Sequence, residues 1–262
     1  MFERILKLAL EAKRPDHSPA IQDLCHALRD IQPGLGFQDA AGNLWADLRA
    51  GAASTCFMAH LDTVHESTGP NRVLWTDGRA HTGGRSVLGA DDGAGVAVLA
   101  GLMAAGVPAL YLFTQGEETG ARGARYVKDH HARAFAGIQR IISFDRRGRQ
   151  DICGEQRGGI CASRAFVAEL AGRLAMGHQW AVGHYTDNSE FRELVPEIVN
   201  LSAGYAQAHS DGECLDLVYL RSLMEKCLVM DWETLGVRRG IPGPGQPRVP
   251  LDLWEEESGW EN

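Results

Sequence analysis

The sequence lacks the local signatures that mark the commonest hydrolases and nucleotide-binding proteins. It contains no Gly-x-Ser-x-Gly nucleophile turn, no His-Glu-x-x-His zinc helix and no glycine-rich P-loop. Its six cysteines form no Cys-x-x-Cys pair and no regular framework, so they are most simply free thiols.

Signals for export and for membrane insertion are also missing. The first residues include Glu3 and contain no continuous apolar core, so they do not resemble a secretory signal peptide. The uncharged stretch 95–114 imitates a membrane span, but Gly106 and Pro108 interrupt it. The helix that remains, about 12 residues and roughly 18 Å long, is too short to cross a bilayer. We therefore predict a cytoplasmic protein with reduced cysteines and no membrane partner.

The charge balance argues against a further class of partner. The net charge is −8 and the pI is near 5.7, which leaves no basic surface for nucleic acid or anionic lipid. The short basic cluster 146–149 is typical of a solvated loop. No nucleic-acid partner is predicted.

Segments of strand type and of helix type alternate along the chain. The predicted strands are 43–48, 55–59, 109–114, 140–144 and 197–202, with a hairpin within 73–85. The predicted helices are 2–13, 19–31, 93–105, 123–134, 163–175 and 216–234. This alternation predicts the α/β class, with a mostly parallel central sheet and helices on both faces. We predict one catalytic domain over residues 1–238 and a Pro/Gly-rich, acidic C-terminal tail over residues 239–262.

Metal-binding residue types recur where apolar runs stop. Four such runs end at, or a few residues before, the positions His60, Glu117-Glu118, Asp145 and His209. Ligands of open α/β sheets gather beyond the carboxyl ends of the strands. Each residue has an ordinary explanation on its own, such as a surface histidine or an ion pair. Their joint occurrence at strand ends indicates a shared site.

A fifth candidate lies in a glycine-flanked turn before the helix predicted at 93–105. Asp91 and Asp92 are adjacent there, and a short acidic side chain at this place is also typical of a helix N-cap. If Asp91 joins the other residues, the set contains two imidazoles and three carboxylates, which suits a pair of zinc-like divalent ions. The three carboxylates and a bridging hydroxide would balance the two dications, so the buried site would be near neutral.

Five short motifs carry a family resemblance. They read His60-Leu61-Asp62-Thr63-Val64, Gly89-Ala90-Asp91-Asp92-Gly93-Ala94-Gly95, Gly116-Glu117-Glu118-Thr119-Gly120, Ser143-Phe144-Asp145-Arg146-Arg147-Gly148 and Ala208-His209. Together with the strand that follows Asp39, they resemble the co-catalytic zinc exopeptidases, which include peptidase T, carboxypeptidase G and single-domain zinc aminopeptidases. The resemblance covers about residues 18–230 and implies the phosphorylase/hydrolase-like architecture of that superfamily.

The resemblance also implies two zinc ions, with cobalt or manganese as possible substitutes, and a role for each residue. Asp91 would bridge the ions. His60 and Asp145 would complete one site, and Glu118 and His209 the other. Asp62 would accept a hydrogen bond from the far nitrogen of His60 and fix its tautomer. Glu117 would be the general base for a metal-bridging water that hydrolyses a terminal amide bond of a small peptide.

Two features depart from the pattern of many relatives. Gly93 stands where those relatives have lysine. Many of them also insert a lid of about a hundred residues, comparable to a small domain, before the last histidine. Here residues 146–208 are all that separate Asp145 from His209, and a predicted helix and strand occupy them. The lid is therefore expected to be absent, the substrate-binding residues are unknown, and the chain resembles the one-domain aminopeptidase branch more than the relatives with a lid.

Two alternative functions remain open. An N-acyl amino acid deacylase would use the same metal chemistry and differ only in its pocket. Its substrate carboxylate would need an arginine, and the candidates are Arg146, Arg147, Arg157 and Arg164, although a surface ion pair is the favoured role for each of them. A catalytically silent metal-binding scaffold is the other alternative. His184 precedes a loop predicted on the active face and is a candidate to approach the substrate, although a structural role is favoured for it. The oligomeric state is not predicted.

Overall fold

The computed structural model describes residues 1–34, 36–51 and 53–241. Within them the α-helices are α1 (Phe2–Leu10), α2 (Pro19–Arg29), α3 (Ala90–Ala104), α4 (Arg122–His130), α5 (Arg164–Leu174) and α6 (Leu217–Val229). The 3-10 helices are Ala132–Phe135, Asp187–Phe191 and Trp232–Thr234. Residues 242–262, most of the predicted acidic tail, lie outside the described residues.

Fifteen strands occur in the described part of the chain. They are β1 (Ala12–Lys13), β2 (Gly36–Gln38), β3 (Leu44–Asp47), β4 (Thr55–His60), β5 (Gly69–Pro70), β6 (Leu74–Thr76), β7 (Arg79–His81), β8 (Leu110–Thr114), β9 (Arg140–Arg146), β10 (Asp151–Gln156), β11 (Gly159–Ile160), β12 (Gln179–Val182), β13 (Glu197–Ser202), β14 (Tyr205–Ala206) and β15 (Cys214–Asp216).

The central sheet has the order β11-β10-β13-β9-β4-β8-β3-β2, and β12 pairs with β10. Its four middle strands, β13, β9, β4 and β8, are parallel to one another, whereas β10 and β3 flank them in antiparallel orientation. The α/β class with a largely parallel sheet centre is therefore confirmed. A parallel centre brings the carboxyl ends of β4, β8 and β9 to one edge.

Both faces of the sheet are covered, and the side chains of β4 show how. Phe57 and Ala59 belong to the larger apolar core, which contains α1, α3 and α6. Cys56 and Met58 belong to a second core, which includes α4 residues. Successive strand residues point to opposite faces, so a strand buried on both sides is a continuous apolar run, as Thr55–Ala59 is in the sequence.

Several boundaries differ from the sequence expectations. The first helix ends at Leu10 rather than at residue 13, because Ala12–Lys13 instead pairs with β5. The last helix ends at Val229, where Met230 takes an extended conformation, and a 3-10 turn follows. The predicted hairpin at 73–85 is present as β6 and β7, and β15 and β14 extend it into a separate four-stranded sheet.

The stretch 146–208 adds to the same body of structure. It supplies β10 and β13 to the central sheet and α5 to its covering layer, and no separate lid is found in it. At the other end, Arg239 of the predicted tail still donates its main-chain N–H to Glu197, over 2.7 Å. In the described residues no helix has the length and apolarity needed to cross a membrane, and all six cysteines are free.

Candidate metal centre

The register of the parallel strands explains why distant residues meet. His60, the last residue of β4, pairs with Thr114 at the end of β8, and Met58 pairs with Ser143 on β9. The loop that follows β8 therefore brings Glu117 and Glu118 to the edge where β9 places Asp145. The second histidine, His209, lies in the loop that joins the paired strands β14 and β15.

Asp91 faces a different histidine with each oxygen of its carboxylate. Its Oδ1 lies 3.2 Å from Nε2 of His60, and its Oδ2 lies 3.3 Å from Nε2 of His209. The same two imidazole nitrogens face further carboxylates, because His60 lies 3.7 Å from Asp145 Oδ1 and His209 lies 3.0 Å from Glu118 Oε1. Asp91 is thus the residue shared by two clusters of donor atoms.

The described residues contain three groups of candidate ligand atoms, and within each group the atoms lie within 4.8 Å of one another. They are His60 with Asp91 and Asp145, Asp91 with Glu118 and His209, and His60 with Glu117 and Glu118. The first two contain the five residues that the sequence singled out, divided as the resemblance implies. Oxygen and nitrogen donors of this kind suit zinc and related divalent ions.

The protonation behaviour of the carboxylates also fits a cation site. Burial, together with the charge of Asp91, raises the pKa of Asp145 to about 7. Burial and the charges of Asp145, Asp187 and Glu118 raise the pKa of Glu117 to about 9, although His60 opposes them. Glu118 Oε1 is buried and has no hydrogen bond of good geometry. Divalent ions among these groups would relieve the repulsion and use the open oxygen.

The carboxylates in turn shift the pKa values of the two histidines. Close polar contacts of its Nε2 with Asp91 and Glu118 raise the pKa of His209 to about 10. Burial lowers the pKa of His60, but its contacts with Asp145 and Asp91 outweigh burial and raise it well above the ordinary value. The pKa of Asp91 is lowered because bonds with both histidines outweigh its burial. Divalent ions held by these residues would take over the balancing of the carboxylate charges.

Asp62 has a different partner from the one expected. His60 Nδ1 bonds the main-chain carbonyl of Asp62 over 3.0 Å, whereas the Asp62 carboxylate is 3.8 Å away. That carboxylate instead accepts the main-chain N–H groups of Gly116, Glu117 and Glu118, at 2.8, 3.1 and 3.2 Å. The carbonyl therefore orients the imidazole, and the carboxylate holds the loop that carries both glutamates.

Glu213 holds the Asp91 turn in the same manner. This fully buried carboxylate accepts the N–H groups of Leu88, Gly89 and Asp91, at 2.9, 2.9 and 3.1 Å. Sequence reasoning missed Glu213. The available signal was an isolated acidic residue four positions after His209, which is too common to be informative.

Arg14 lies beneath the two turns and was also missed. Its guanidinium is fully buried and donates to the carbonyls of Leu61, at 2.5 Å, and Gly89, at 3.0 Å. A Cβ atom at Gly93 would lie only 3.0 Å from Arg14 Nη2. Arg14 therefore occupies the space beside Gly93, the position at which many relatives have lysine.

Asp91 and Asp92 have non-helical backbone angles although they fall within the bounds of α3, so the regular helix begins after them and Asp92 takes the capping role that was the simpler interpretation of the acidic pair. Its Oδ1 accepts the N–H of Gly95 at 3.0 Å, as an N-cap residue does. Its Oδ2 accepts the N–H of His60 at 3.2 Å, so the cap also joins α3 to the end of β4. A Cβ atom at Gly95 would collide with this carboxylate, which explains the glycine.

Asp145 is fixed by three polar side chains that the sequence did not reveal. Thr186 Oγ1 donates to its Oδ2 at 2.5 Å, and the Tyr205 hydroxyl donates to its Oδ1 at 3.2 Å. Asn200 bonds both its main-chain N–H and its carbonyl, at 2.8 and 2.7 Å. Asn200 does this where the pairing of β13 with β9 is irregular, so its side chain replaces a strand contact.

A cavity of about 300 Å³ opens beside the candidate metal ligands. Asp91, Asp145 and His209 line it together with Glu117. Its remaining charged or titratable lining residues are Arg146, Arg147, His184, Tyr185, Cys153 and Tyr205. His184 therefore does reach the cavity, whereas Arg164 stacks on Trp180, with its guanidinium carbon 4.4 Å from the ring centre.

Several solved structures that resemble this chain are described as peptidases. An aminopeptidase PepT from Bacillus cereus is 17% identical with a TM-score of 0.67, and a tripeptidase from Staphylococcus aureus is 14% identical with a TM-score of 0.68; each match covers 86% of this chain and 95% of the other. The chain shares the fold of these two proteins. A TET1 peptidase from Pyrococcus horikoshii matches with a TM-score of 0.66 and 17% identity over 87% of this chain and 98% of the other. No protein-family model and no curated protein matches the sequence.

The agreement of architecture confirms the predicted resemblance at the level of the fold. The similarity extends over most of the chain. Identities below 20% do not transfer an activity, so the function must be argued from the site.

Proposed function

We propose that this protein is an exopeptidase that holds two divalent ions, zinc in the first instance, and hydrolyses a terminal amide bond of small peptides. The observation that carries the proposal is the carboxylate of Asp91, whose two oxygens face His60 and His209. A single carboxylate between two sets of donors is what two neighbouring ions require. The peptidases of the same fold support peptides as the substrate class.

Five residues would hold the ions: His60, Asp91 and Asp145 for one, and Asp91, Glu118 and His209 for the other. Bound there, divalent ions acidify water and stabilise negative charge on a substrate carbonyl oxygen. Cobalt or manganese would suit the same donors. Three carboxylates and two neutral imidazoles would leave the two-ion site with a charge of about +1, which a hydroxide neutralises.

Glu117 is the residue that we propose moves protons. It lines the cavity, whereas its neighbour Glu118 approaches His209. Asp62 fixes the main-chain N–H groups of both glutamates, so the adjacent side chains keep separate tasks. Glu117 would take a proton from the attacking water and give it to the leaving amine. Cations near Glu117 would lower its raised pKa, so that the base is ionised at neutral pH.

Two adjacent substitutions test this division of labour. We expect Glu117→Gln to reduce hydrolysis of a dipeptide panel at least a hundredfold while metal content stays near two per chain. Glu118→Gln, the matched control, should lower metal content as well as activity. Metal analysis and steady-state kinetics on zinc-, cobalt- and manganese-loaded protein provide the measurements. Substantial activity in Glu117→Gln would overturn the assignment of the base.

Two other functions share the metal site and differ in the outcome of the same assay. Cleavage of N-acyl amino acids without cleavage of peptides would identify a deacylase, which Arg147 at the cavity favours as the second candidate. Two bound metals with no hydrolysis in either panel would identify a scaffold. We also propose a cytoplasmic location, which is consistent with the six free cysteines.

A further inference from the structure

We infer that Arg147 binds the free α-carboxylate of the substrate and thereby restricts the enzyme to very short substrates, dipeptides above all. The inference rests on the proposed hydrolysis of amide bonds at the metal centre and adds the end of the substrate that is recognised. It depends on which charges at the cavity are already engaged and on how the Arg147 main chain is held.

The carboxylates that line the cavity all have other tasks. In the described residues these carboxylates belong to Asp91, Asp145 and Glu117, of which the first two face the imidazole of His60 and the third is the proposed base. A substrate α-ammonium group therefore finds no carboxylate there that is free to pair with it. Recognition of the amino end by an ion pair is disfavoured.

The basic residues of the cavity differ in this respect. Arg146 is engaged, because its Nε and Nη2 bond Asp151 Oδ2 at 3.0 and 2.9 Å. The guanidinium of Arg147 is exposed and takes part in none of the hydrogen bonds or ion pairs found among the described residues. It is the guanidinium at this cavity that is available for an anion. Arginine suits a carboxylate because its planar fork can donate two parallel hydrogen bonds.

The main chain around Arg147 is firmly held, although its side chain is free. Ser202 Oγ donates to the Arg147 carbonyl at 2.9 Å. The N–H of Ala203 bonds the carbonyl of Arg146, and the N–H of Gly148 bonds the carbonyl of Tyr205, at 2.8 and 2.7 Å. The turn at Arg147, which lies two residues after Asp145, is thus fixed to the end of β13. A guanidinium on such a base loses little backbone entropy when it binds.

The short path from Asp145 to Arg147 limits the substrate. A carboxylate on Arg147 and an amide bond beside Asp145 would belong to neighbouring parts of one small molecule. The cavity volume of about 300 Å³ is at the lower end for small-molecule sites. A dipeptide satisfies both conditions, and an N-acyl amino acid has the same carboxylate one residue from its amide.

The test uses the full chain loaded with metal and four forms of one dipeptide, Ala-Leu: free, N-acetylated, C-amidated and blocked at both ends. For wild type we expect C-amidation to lower kcat/KM roughly 10- to 100-fold, mainly through KM, since a charged hydrogen bond contributes to ground-state binding. N-acetylation should cost less. Arg147→Met should lower kcat/KM for the free dipeptide by the same factor, and amidation of the dipeptide should then lower the kcat/KM of this variant little further.

Three further measurements separate recognition from other effects. Arg149→Met is the matched control, because Arg149 pairs with Asp216 at 3.2 Å and does not line the cavity; its kinetics should equal those of wild type. Arg147→Lys should recover part of the loss. Calorimetric titration of metal-loaded Glu117→Gln should give tighter binding of free Ala-Leu than of its amide, and added Arg147→Met should remove the difference.

The outcomes distinguish the two proposals. If wild type cleaves the acid and the amide equally, or if Arg147→Met keeps the amidation penalty, the role of Arg147 is wrong while the peptidase proposal stands. If wild type cleaves none of the four compounds, the peptidase proposal falls for this substrate class. In that case the calorimetric comparison still decides whether Arg147 binds a carboxylate.

Discussion

Glu213 offers the sharpest test of how the metal centre is supported, because its carboxylate holds the Asp91 turn through main-chain contacts alone. Its Oε2 accepts from both Leu88 and Gly89, and its Oε1 accepts from Asp91. The substitution Glu213→Gln keeps the shape but replaces one oxygen with an NH₂ group. In its best orientation glutamine keeps the first two bonds and places a donor against the N–H of Asp91.

The magnitude follows from that count. One hydrogen bond to a charged acceptor is lost, and one buried N–H is left without a partner, which together cost about 3 kcal/mol. Burial raises the pKa of Glu213, while the three N–H donors favour its ionised form and oppose that rise. If the urea m-value is about 3 kcal/mol/M, the midpoint of unfolding should fall by roughly 1 M. Metal affinity should fall about 10- to 100-fold, because the Asp91 turn is less firmly held.

The assay compares urea unfolding of metal-free wild type and Glu213→Gln at pH 7, followed by zinc titration of each folded protein. Glu225→Gln, an exposed glutamate on α6, is the control and should stay within about 0.5 kcal/mol of wild type. A change below 0.5 kcal/mol in Glu213→Gln, with unchanged zinc affinity, would refute the argument that an ionised carboxylate holds this turn.

Three further predictions concern pH, packing and metal. Burial lowers the pKa of His65 to about 4 from the 6.5 of the unfolded chain. The unfolded state therefore binds more protons than the folded state below pH 6.5. Between pH 6.5 and pH 4 the free energy of unfolding of the wild type should fall by up to about 3 kcal/mol more than that of His65→Gln. The same fall in both proteins, measured by urea unfolding at each pH, would contradict this. Gly123→Ala should destabilise the protein by about 1–3 kcal/mol, because the added Cβ would lie 2.8 Å from the main-chain N of Gln115. Gly172→Ala is the control: the space around Gly172 in α5 is open, so this variant should be more stable than wild type by about 0.5–1 kcal/mol. Equal thermal midpoints for the two variants would refute the steric argument. Zinc at a hundred times its dissociation constant should add about 2.7 kcal/mol, and a chelator should therefore lower Tm by roughly 5 to 10 °C; an unchanged Tm would argue against metal binding by the folded state.

The sequence was informative where a fully buried strand stops at a polar residue. In two places the residues of a buried strand are followed directly by a candidate ligand. These are the run Thr55–Ala59 before His60 and the run Arg140–Phe144 before Asp145. Long apolar periodicity likewise predicted α3 and α5 to within a few residues. These features are local in sequence, so local patterns suffice to find them.

What could not be predicted depends on long-range contact. Residues such as Arg14 and Glu213 act on turns that lie 47 to 125 positions away in the chain. Nothing near them in sequence distinguishes them from surface charges. The partner of the Asp62 carboxylate belongs to the same class, since the loop 116–118 reaches it only after β4 and β8 have paired. The strand β10 was missed because it gains its order from pairing with β12 and β13.

The two halves of the candidate metal centre are supported unequally. His60 ends a strand in the middle of the sheet, and its side chain is 1% exposed, whereas His209 lies in a connecting loop and is 49% exposed. An ion held at the first half would be shielded from water, whereas an ion held at the second half would stay open to solvent beside His209. The two ions should therefore bind with unequal affinity, and the ion beside His209 should dissociate first when the metal concentration falls.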